Sequence, residues 1–184
     1  MEKGDSNSLR LNSWVSLIET SIEKDPESYF HLKVPDYVFV LAMTESGKVP
    51  LVQQYRIPLE RNSLELPAGL IESNQTPLET AKRELEEETG LKSQKSVFQL
   101  PPMVLDSGRI QNKAHGFVFL GVEELTELEM KSAELKTIWV TAEELLSMAI
   151  SGKIDHMGQV ALILWAAMAG HLGDEVKRKG GIFV

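Results

Sequence analysis

The chain has 184 residues, 42% hydrophobic and 25% charged, which suits one globular domain able to bury most of its apolar surface. A net charge of −8 argues against a surface for duplex nucleic acid, which needs clustered Lys and Arg, and the lack of cysteine removes disulfides, thiolate chemistry and Cys-based zinc. No apolar run reaches the length of a membrane span and residues 1–12 are polar, unlike a signal peptide, so the expected setting is the cytoplasm, away from membranes.

Residues 1–12 read as a loose polar terminus. Residues 13–33 are mixed: the stretch from Trp14 to Ile22 fits a strand or a short helix, and Asp25-Pro26 marks a turn. Strands are favoured, because Tyr29, Phe30 and Leu32 lead into a clear strand over 37–44. A hairpin turn at Glu45-Ser46-Gly47-Lys48 brings in a second strand over 49–55. That strand runs out in Gln53-Gln54-Tyr55-Arg56-Ile57-Pro58, where Arg56 read alone is an exposed strand-end charge. Leu64-Glu65-Leu66-Pro67-Ala68-Gly69 follows, with Glu65 open to pairing with a neighbouring cation.

The organising stretch is GLIESNQTPLETAKRELEEETGL, from Gly69 to Leu91. Thr76 is an N-cap, Pro77 occupies the first helical position, Glu79 completes a capping box, and Gly90 is the terminating C′ glycine. Leu78, Ala81 and Leu85 make an apolar stripe for a sheet, and Glu84, Glu87 and Glu88 share one face at i, i+3 and i+4. Convergent carboxylates suit Mg²⁺, which relieves their mutual repulsion. A solvated acidic face is the plainer alternative, and Glu86 with Lys82 fits that description. The wider spacing, Gly69, Arg83, Glu84, Leu85, Glu87, Glu88, Gly90 and Leu91, resembles the Nudix box G-x5-E-x7-R-E-U-x-E-E-x-G-U. It departs at Gln75, where the family usually has Glu; reduced or altered metal affinity is expected, not inactivity.

Past the box, residues 96–104 and 114–122 look like strands, joined by Leu105-Asp106-Ser107-Gly108-Arg109-Ile110-Gln111-Asn112. Residues 123–134 are acidic and read as a mobile loop before a strand over 135–140. Thr141 with Glu144 caps a second helix. Asp155 is the candidate cap of a third, from His156 to about His171, apolar at Val160, Ile163, Leu164 and Ala167. Trp165 and Met168 read as core or interface, the tail from Lys177 as frayed, and His31, His115, His156 and His171 as structural.

The run from Val34 to Glu72 resembles the ADP-ribose and nucleoside diphosphate sugar pyrophosphatase branch of the Nudix hydrolases. The resemblance implies an α/β/α sandwich around a mixed β-sheet, with extra antiparallel strands at the N-terminus. Residues 1–184 then form one domain, in which 1–34 are N-terminal strands and a candidate dimerisation element and 35–184 are the core. It implies metal binding by Glu84, Glu87, Glu88 and the Ala68 carbonyl, with Mg²⁺ as the cofactor and Mn²⁺ as a substitute. Arg83 is implied to hold the box carboxylates, and Arg56 to contact the diphosphate or nucleoside of the substrate. Glu65 matches a family acid near the metal or nucleoside. Asp106, Ser107, Gly108 and Arg109 match the loop lining the sugar side, although Ser107 stands where ADP-ribose-preferring members often carry proline, and Arg109 fits a solvated charge equally well. Glu134 best fits the family's catalytic base, with Glu127 and Glu129 as runners-up. The implied activity is Mg²⁺-dependent hydrolysis of nucleoside diphosphate sugars such as ADP-ribose or GDP-mannose, giving a nucleoside monophosphate and a sugar phosphate, by a homodimer. Two alternatives stay open: a hydrolase of nucleoside triphosphates or dinucleoside polyphosphates, or a weakly catalytic nucleotide-sugar binding protein.

Overall fold

A computed structural model describes residues 3–23, 27–92, 96–124 and 136–173. The chain opens with β1 (Lys3–Arg10), β2 (Ser16–Ile22) and β3 (Tyr29–Lys33), paired antiparallel in that order. The expected loose terminus is therefore a strand. Its own residues carry no apolar alternation; pairing with β2 orders it, and the Ser6 and Thr20 hydroxyls meet across the pair at 3.1 Å. Asn12 shapes the turn between them by accepting from the backbone N–H of Trp14 and Val15, each at 2.8 Å.

The core follows as β4 (Tyr37–Thr44), β5 (Lys48–Arg56), a 3₁₀ turn at Ile57–Leu59, β6 (Arg61–Glu65) and β7 (Ala68–Leu70). Then come α1 (Pro77–Thr89), β8 (Leu91–Lys92), β9 (Ser96–Gln99), β10 (Ile110–Gln111), β11 (Ala114–Glu124), β12 (Lys136–Thr141), α2 (Ala142–Ile150) and α3 (Met157–Ala169). The strand expected over 96–104 stops at Gln99, because Pro101 and Pro102 cannot donate to a ladder. Asp155 does not cap α3: His156 is the N-cap residue, without a side-chain bond, and Asp155 pairs instead with Arg61. The tail from Lys177 lies outside the described residues.

Parallel β4 and β11 form the centre of a mixed sheet, flanked by β7 on β4 and by β8 and β9 on β11. A second, antiparallel sheet has the order β12-β5-β6. Strand alternation divides the core. Val38, Val40, Ala42, Phe117 and Phe119 face α1, through Ala81 and Leu85. Phe39, Leu41, Ala114 and Val118 face the other way, toward the second sheet, α2 and α3. This is the α/β/α arrangement that the sequence implies, with the strand set split into two sheets.

Within it, Gly116 sits opposite Phe39 in the β4–β11 ladder. A Cβ there would lie 3.1 Å from Phe39 Cε2 and 3.2 Å from Leu162 Cδ1. Gly116→Ala should therefore destabilise by about 1–3 kcal/mol through overpacking, read as a lower denaturant midpoint; an unchanged midpoint would mean the core yields freely.

Candidate functional site

Helix α1 starts as its sequence requires. The Glu79 N–H donates to Thr76 Oγ1 at 3.3 Å, and the Thr76 N–H donates to Glu79 Oε2 at 2.8 Å. It ends at Gly90, which takes φ 68°. Its buried face runs through Thr80, Ala81, Glu84 and Leu85. Leu78, expected in that stripe, lies off this face and is exposed. At about 100° per residue, Glu88 falls in line with Ala81 and Leu85, whereas Glu87 is turned toward solvent. The carboxylate trio therefore separates into an inner pair and an outer member.

The inner pair meets the backbone of β7. Glu88 Oε2 accepts the Ala68 N–H at 3.0 Å. The Glu84 carboxylate lies against Gly69, so closely that a Cβ on residue 69 would sit 1.9 Å from its Oε1. β7 is held for this encounter by its neighbours. The Val40 N–H donates to the Pro67 carbonyl at 2.8 Å, and the Leu66 N–H donates to the buried Gln159 Oε1 of α3 at 2.8 Å.

Arg83 braces the outer side. It reaches Glu84 Oε1 at 2.7 Å through Nη2 and Glu87 Oε2 at 2.7 Å through Nη1, and its Nε donates to Gln75 Oε1 at 3.3 Å. Gln75 Oε1 also accepts from Thr80 Oγ1 at 3.0 Å. The amide oxygen thus makes the contacts a carboxylate could make there, without the charge.

Burial sets the electrostatics. It pushes the Glu88 carboxyl up to about 7; the Ala68 N–H and Arg56 oppose this, while Glu84 and Glu65 add to it. Glu84 is also raised, by burial first, with Arg83 pulling the other way. Burial acts to raise Glu65 too, but hydrogen bonds from Arg56 and Ser63 and the Arg56 charge outweigh it, so Glu65 stays below the ordinary value. Arg56 grips Glu65 in two-point geometry, Nε to Oε1 at 2.8 Å and Nη2 to Oε2 at 2.5 Å.

A cavity of about 540 Å³ opens beside this cluster. Arg56, Glu65, Ala68, Gly69, Tyr37 and His156 are among its lining residues. Among the described residues, no three acidic or imidazole side chains are gathered closely enough to hold a metal ion as they stand. The structure thus brings together Arg56, Glu65, Ala68, Glu84 and Glu88, with Arg83 and Glu87 on the flank.

Asp106, Ser107, Gly108 and Arg109 do not line the cavity. Asp106 Oδ1 closes their loop on itself by accepting from the Gly108 and Arg109 N–H groups at 3.0 Å, and the parallel pairing of β10 with β3 fastens it to the N-terminal sheet. Tyr29 donates its hydroxyl to the Gly108 carbonyl, and the Arg109 side chain is 86% exposed. Glu134, Glu127 and Glu129 lie outside the described residues. Sequence reasoning missed Tyr37 and His156 as cavity residues. Only the docking of the α3 N-terminus against the start of β4 makes them neighbours, and nothing in their local sequence announces it.

Residues 33–159 match the family described as the NUDIX domain. Over 128 residues the chain is 37% identical to the ADP-ribose pyrophosphatase of Bacillus subtilis (strain 168), an alignment covering 67% of each protein. It is 31% identical over 131 residues to the ADP-ribose pyrophosphatase of Mycobacterium tuberculosis, covering 69% of this chain and 62% of that one. Among solved structures, that of an ADP compounds hydrolase superposes with a TM-score of 0.74 over 92% of this chain and 95% of its own, at 16% identity, a likeness of fold.

Proposed function

The chain belongs to the NUDIX domain family, and from that premise we propose that it hydrolyses the diphosphate linkage of nucleoside diphosphate sugars such as ADP-ribose or GDP-mannose. The products are a nucleoside monophosphate and a sugar phosphate. The observation that carries this reading is the meeting of Glu84 and Glu88 with the Ala68–Gly69 backbone, beside a cavity edged by Arg56.

Glu84, Glu87, Glu88 and the Ala68 carbonyl would hold Mg²⁺, or Mn²⁺ in its place. The donor set fits: every donor is a hard oxygen, and the inner carboxylates repel each other in a buried setting that a divalent cation relieves. When bound, the ion neutralises diphosphate charge and lowers the pKa of a coordinated water. Arg83 keeps Glu84 and Glu87 in position. Glu65 fixes one edge of the Arg56 guanidinium and leaves its remaining N–H groups for phosphate oxygens. Asp106, Ser107, Gly108 and Arg109 would contribute substrate contacts from their loop, and Glu134 would orient or deprotonate the attacking water. Exposed Leu9, Leu11, Trp14 and Phe30 on and beside the N-terminal sheet support a homodimer.

The test is phosphate-coupled hydrolysis of a panel holding ADP-ribose, GDP-mannose, UDP-glucose, a dinucleoside polyphosphate and a nucleoside triphosphate, with Mg²⁺ and with chelator. Mg²⁺-dependent cleavage of a sugar nucleotide supports the reading. Binding without turnover across the panel would promote a nucleotide-sugar binding protein in its place.

Gln75→Glu separates these two outcomes further. In a working enzyme it adds charge to contacts already made, so maximal turnover should stay within about threefold while half-saturating Mg²⁺ falls by roughly tenfold. A degenerate binder would instead gain turnover by orders of magnitude.

A further inference from the structure

Two residues of the cavity wall, Tyr37 and His156, carry polar atoms that the hydrolytic step does not use. His156 sets its ring edge-on to Tyr37, with centroids 6.2 Å apart at 81°, and tilted to Phe39 at 6.3 Å and 56°. The Tyr37 hydroxyl and His156 Nδ1 are both shut off from solvent and lack a hydrogen-bond partner among the described residues. Leaving such atoms unpaired is destabilising, and two of them in residues of one cavity wall need an explanation. Packing does not supply it, since a phenylalanine would make the same ring contacts as Tyr37 without the penalty.

The charges nearby are already paired, Arg56 with Glu65 and Arg61 with Asp155. Burial, with the Glu65 charge second, pushes the Tyr37 phenol up to about 12, so its hydroxyl remains a neutral donor. Arg56, set aside above for the diphosphate, is the lone Arg or Lys among the described residues of the lining, so a further phosphate beside Tyr37 and His156 would find no cation of its own and would face Asp155. An uncharged guest rich in hydroxyls meets neither difficulty. Each sugar hydroxyl both donates and accepts, so one ring can satisfy the phenol and the imidazole nitrogen together. The C–H face of a sugar also suits the aromatic walls. Ala68 and Gly69 belong both to this cavity and to the carboxylate cluster, so a guest in the cavity would lie beside the groups proposed to act on the diphosphate.

We propose that Tyr37 and His156 form a sugar subsite, hydrogen-bonding the hydroxyls of the sugar on the distal phosphate and determining specificity for it. This deepens, and rests on, the hydrolase reading given above. Because the Tyr37 hydroxyl and His156 Nδ1 are shut off as the side chains stand, contact with a guest requires neighbouring side chains to shift.

The test is calorimetric titration of the full chain with ribose 5-phosphate, mannose 1-phosphate, AMP and GMP in Mg²⁺, for wild type, Tyr37→Phe and His156→Ala. Tyr37→Phe removes only an unpartnered oxygen, so its melting temperature should not fall. It should weaken at least one sugar phosphate roughly tenfold while leaving both nucleoside monophosphates within about twofold. The KM for the matching sugar nucleotide should rise in parallel, and His156→Ala should repeat the pattern. Unchanged sugar phosphate affinity in Tyr37→Phe, or no sugar phosphate binding by wild type, would overturn the proposal. Weakened AMP or GMP binding instead would mean that the cavity takes the base. A wild type that binds sugar phosphate but cleaves no sugar nucleotide would leave the subsite standing and remove the hydrolase reading.

Discussion

Replacing Glu88 with Gln should lower turnover by at least about 10²–10³-fold and, with chelator present above pH 7, raise the melting temperature. The two effects have one origin. Glu88 is half-buried, in line with Ala81 and Leu85 on α1, and desolvation there lifts its carboxyl from 4.5 to about 7. Between those values the folded protein holds a proton that the unfolded chain has released, so stability falls as pH rises through the window. Above it, wild type carries the full penalty of a buried carboxylate, and glutamine carries none. Below 4.5 both side chains are neutral and the melting temperatures should converge. Glutamine keeps an oxygen for the Ala68 N–H, so that contact survives the exchange. Thermal melts of both proteins across this range decide the matter. A variant that melts lower than wild type above pH 7 would show that Glu88 contributes to folding and does not oppose it.

Gly69→Ala is expected to separate fold from activity in the other direction. Gly69 does not adopt a positive φ, so its backbone accepts a side chain. The new methyl carbon would sit 1.9 Å from Glu84 Oε1 and 2.0 Å from its Cδ, and the flexible end of Glu84 would have to leave. That breaks the bond to Arg83 Nη2 and withdraws one of the two inner carboxylates. Displacement of about 1 Å at such a group costs on the order of 100-fold in rate, whereas stability should change by about 1 kcal/mol or less. A Gly69→Ala protein with nearly wild-type turnover would mean that Glu84 is dispensable where it lies.

Local chemistry was the legible part of this molecule. The capping boxes of α1 and α2, the C′ glycine at Gly90 and the strand over 37–44 all follow from residues within a few positions of each other. The contact of Arg83 with Glu84 and Glu87 is likewise local, because one helix carries all three. Long-range placement was not legible. β1 is ordered by its partner strand, so its polar sequence shows no period-2 pattern. The capping role expected of Asp155 was lost to a distant cation, Arg61, which no local rule anticipates. Tyr37 and His156 are 119 positions apart by numbering, and only the packing of α3 on β4 makes them neighbours. The separation of Glu87 from Glu84 and Glu88 depends on which side of α1 meets the sheet; spacing alone makes the three equivalent.

The parallel pairing of β3 with β10 joins the N-terminal sheet to the core by a ladder of two residues, helped by Tyr29 on Gly108 and by His31 near Gln111 at 3.3 Å. So short a seam should open far more often than the parallel β4–β11 ladder, whose amides lie in a closed core. In deuterium labelling, the amides of Leu32 and Val34, which donate to the Arg109 and Gln111 carbonyls across the seam, should exchange together and orders of magnitude sooner than those of Phe39 or Val118. The loop from Asp106 to Arg109 therefore keeps its shape only while an unrelated-looking part of the chain stays docked. Whatever clamps β1–β3 would also set how often that loop holds its shape.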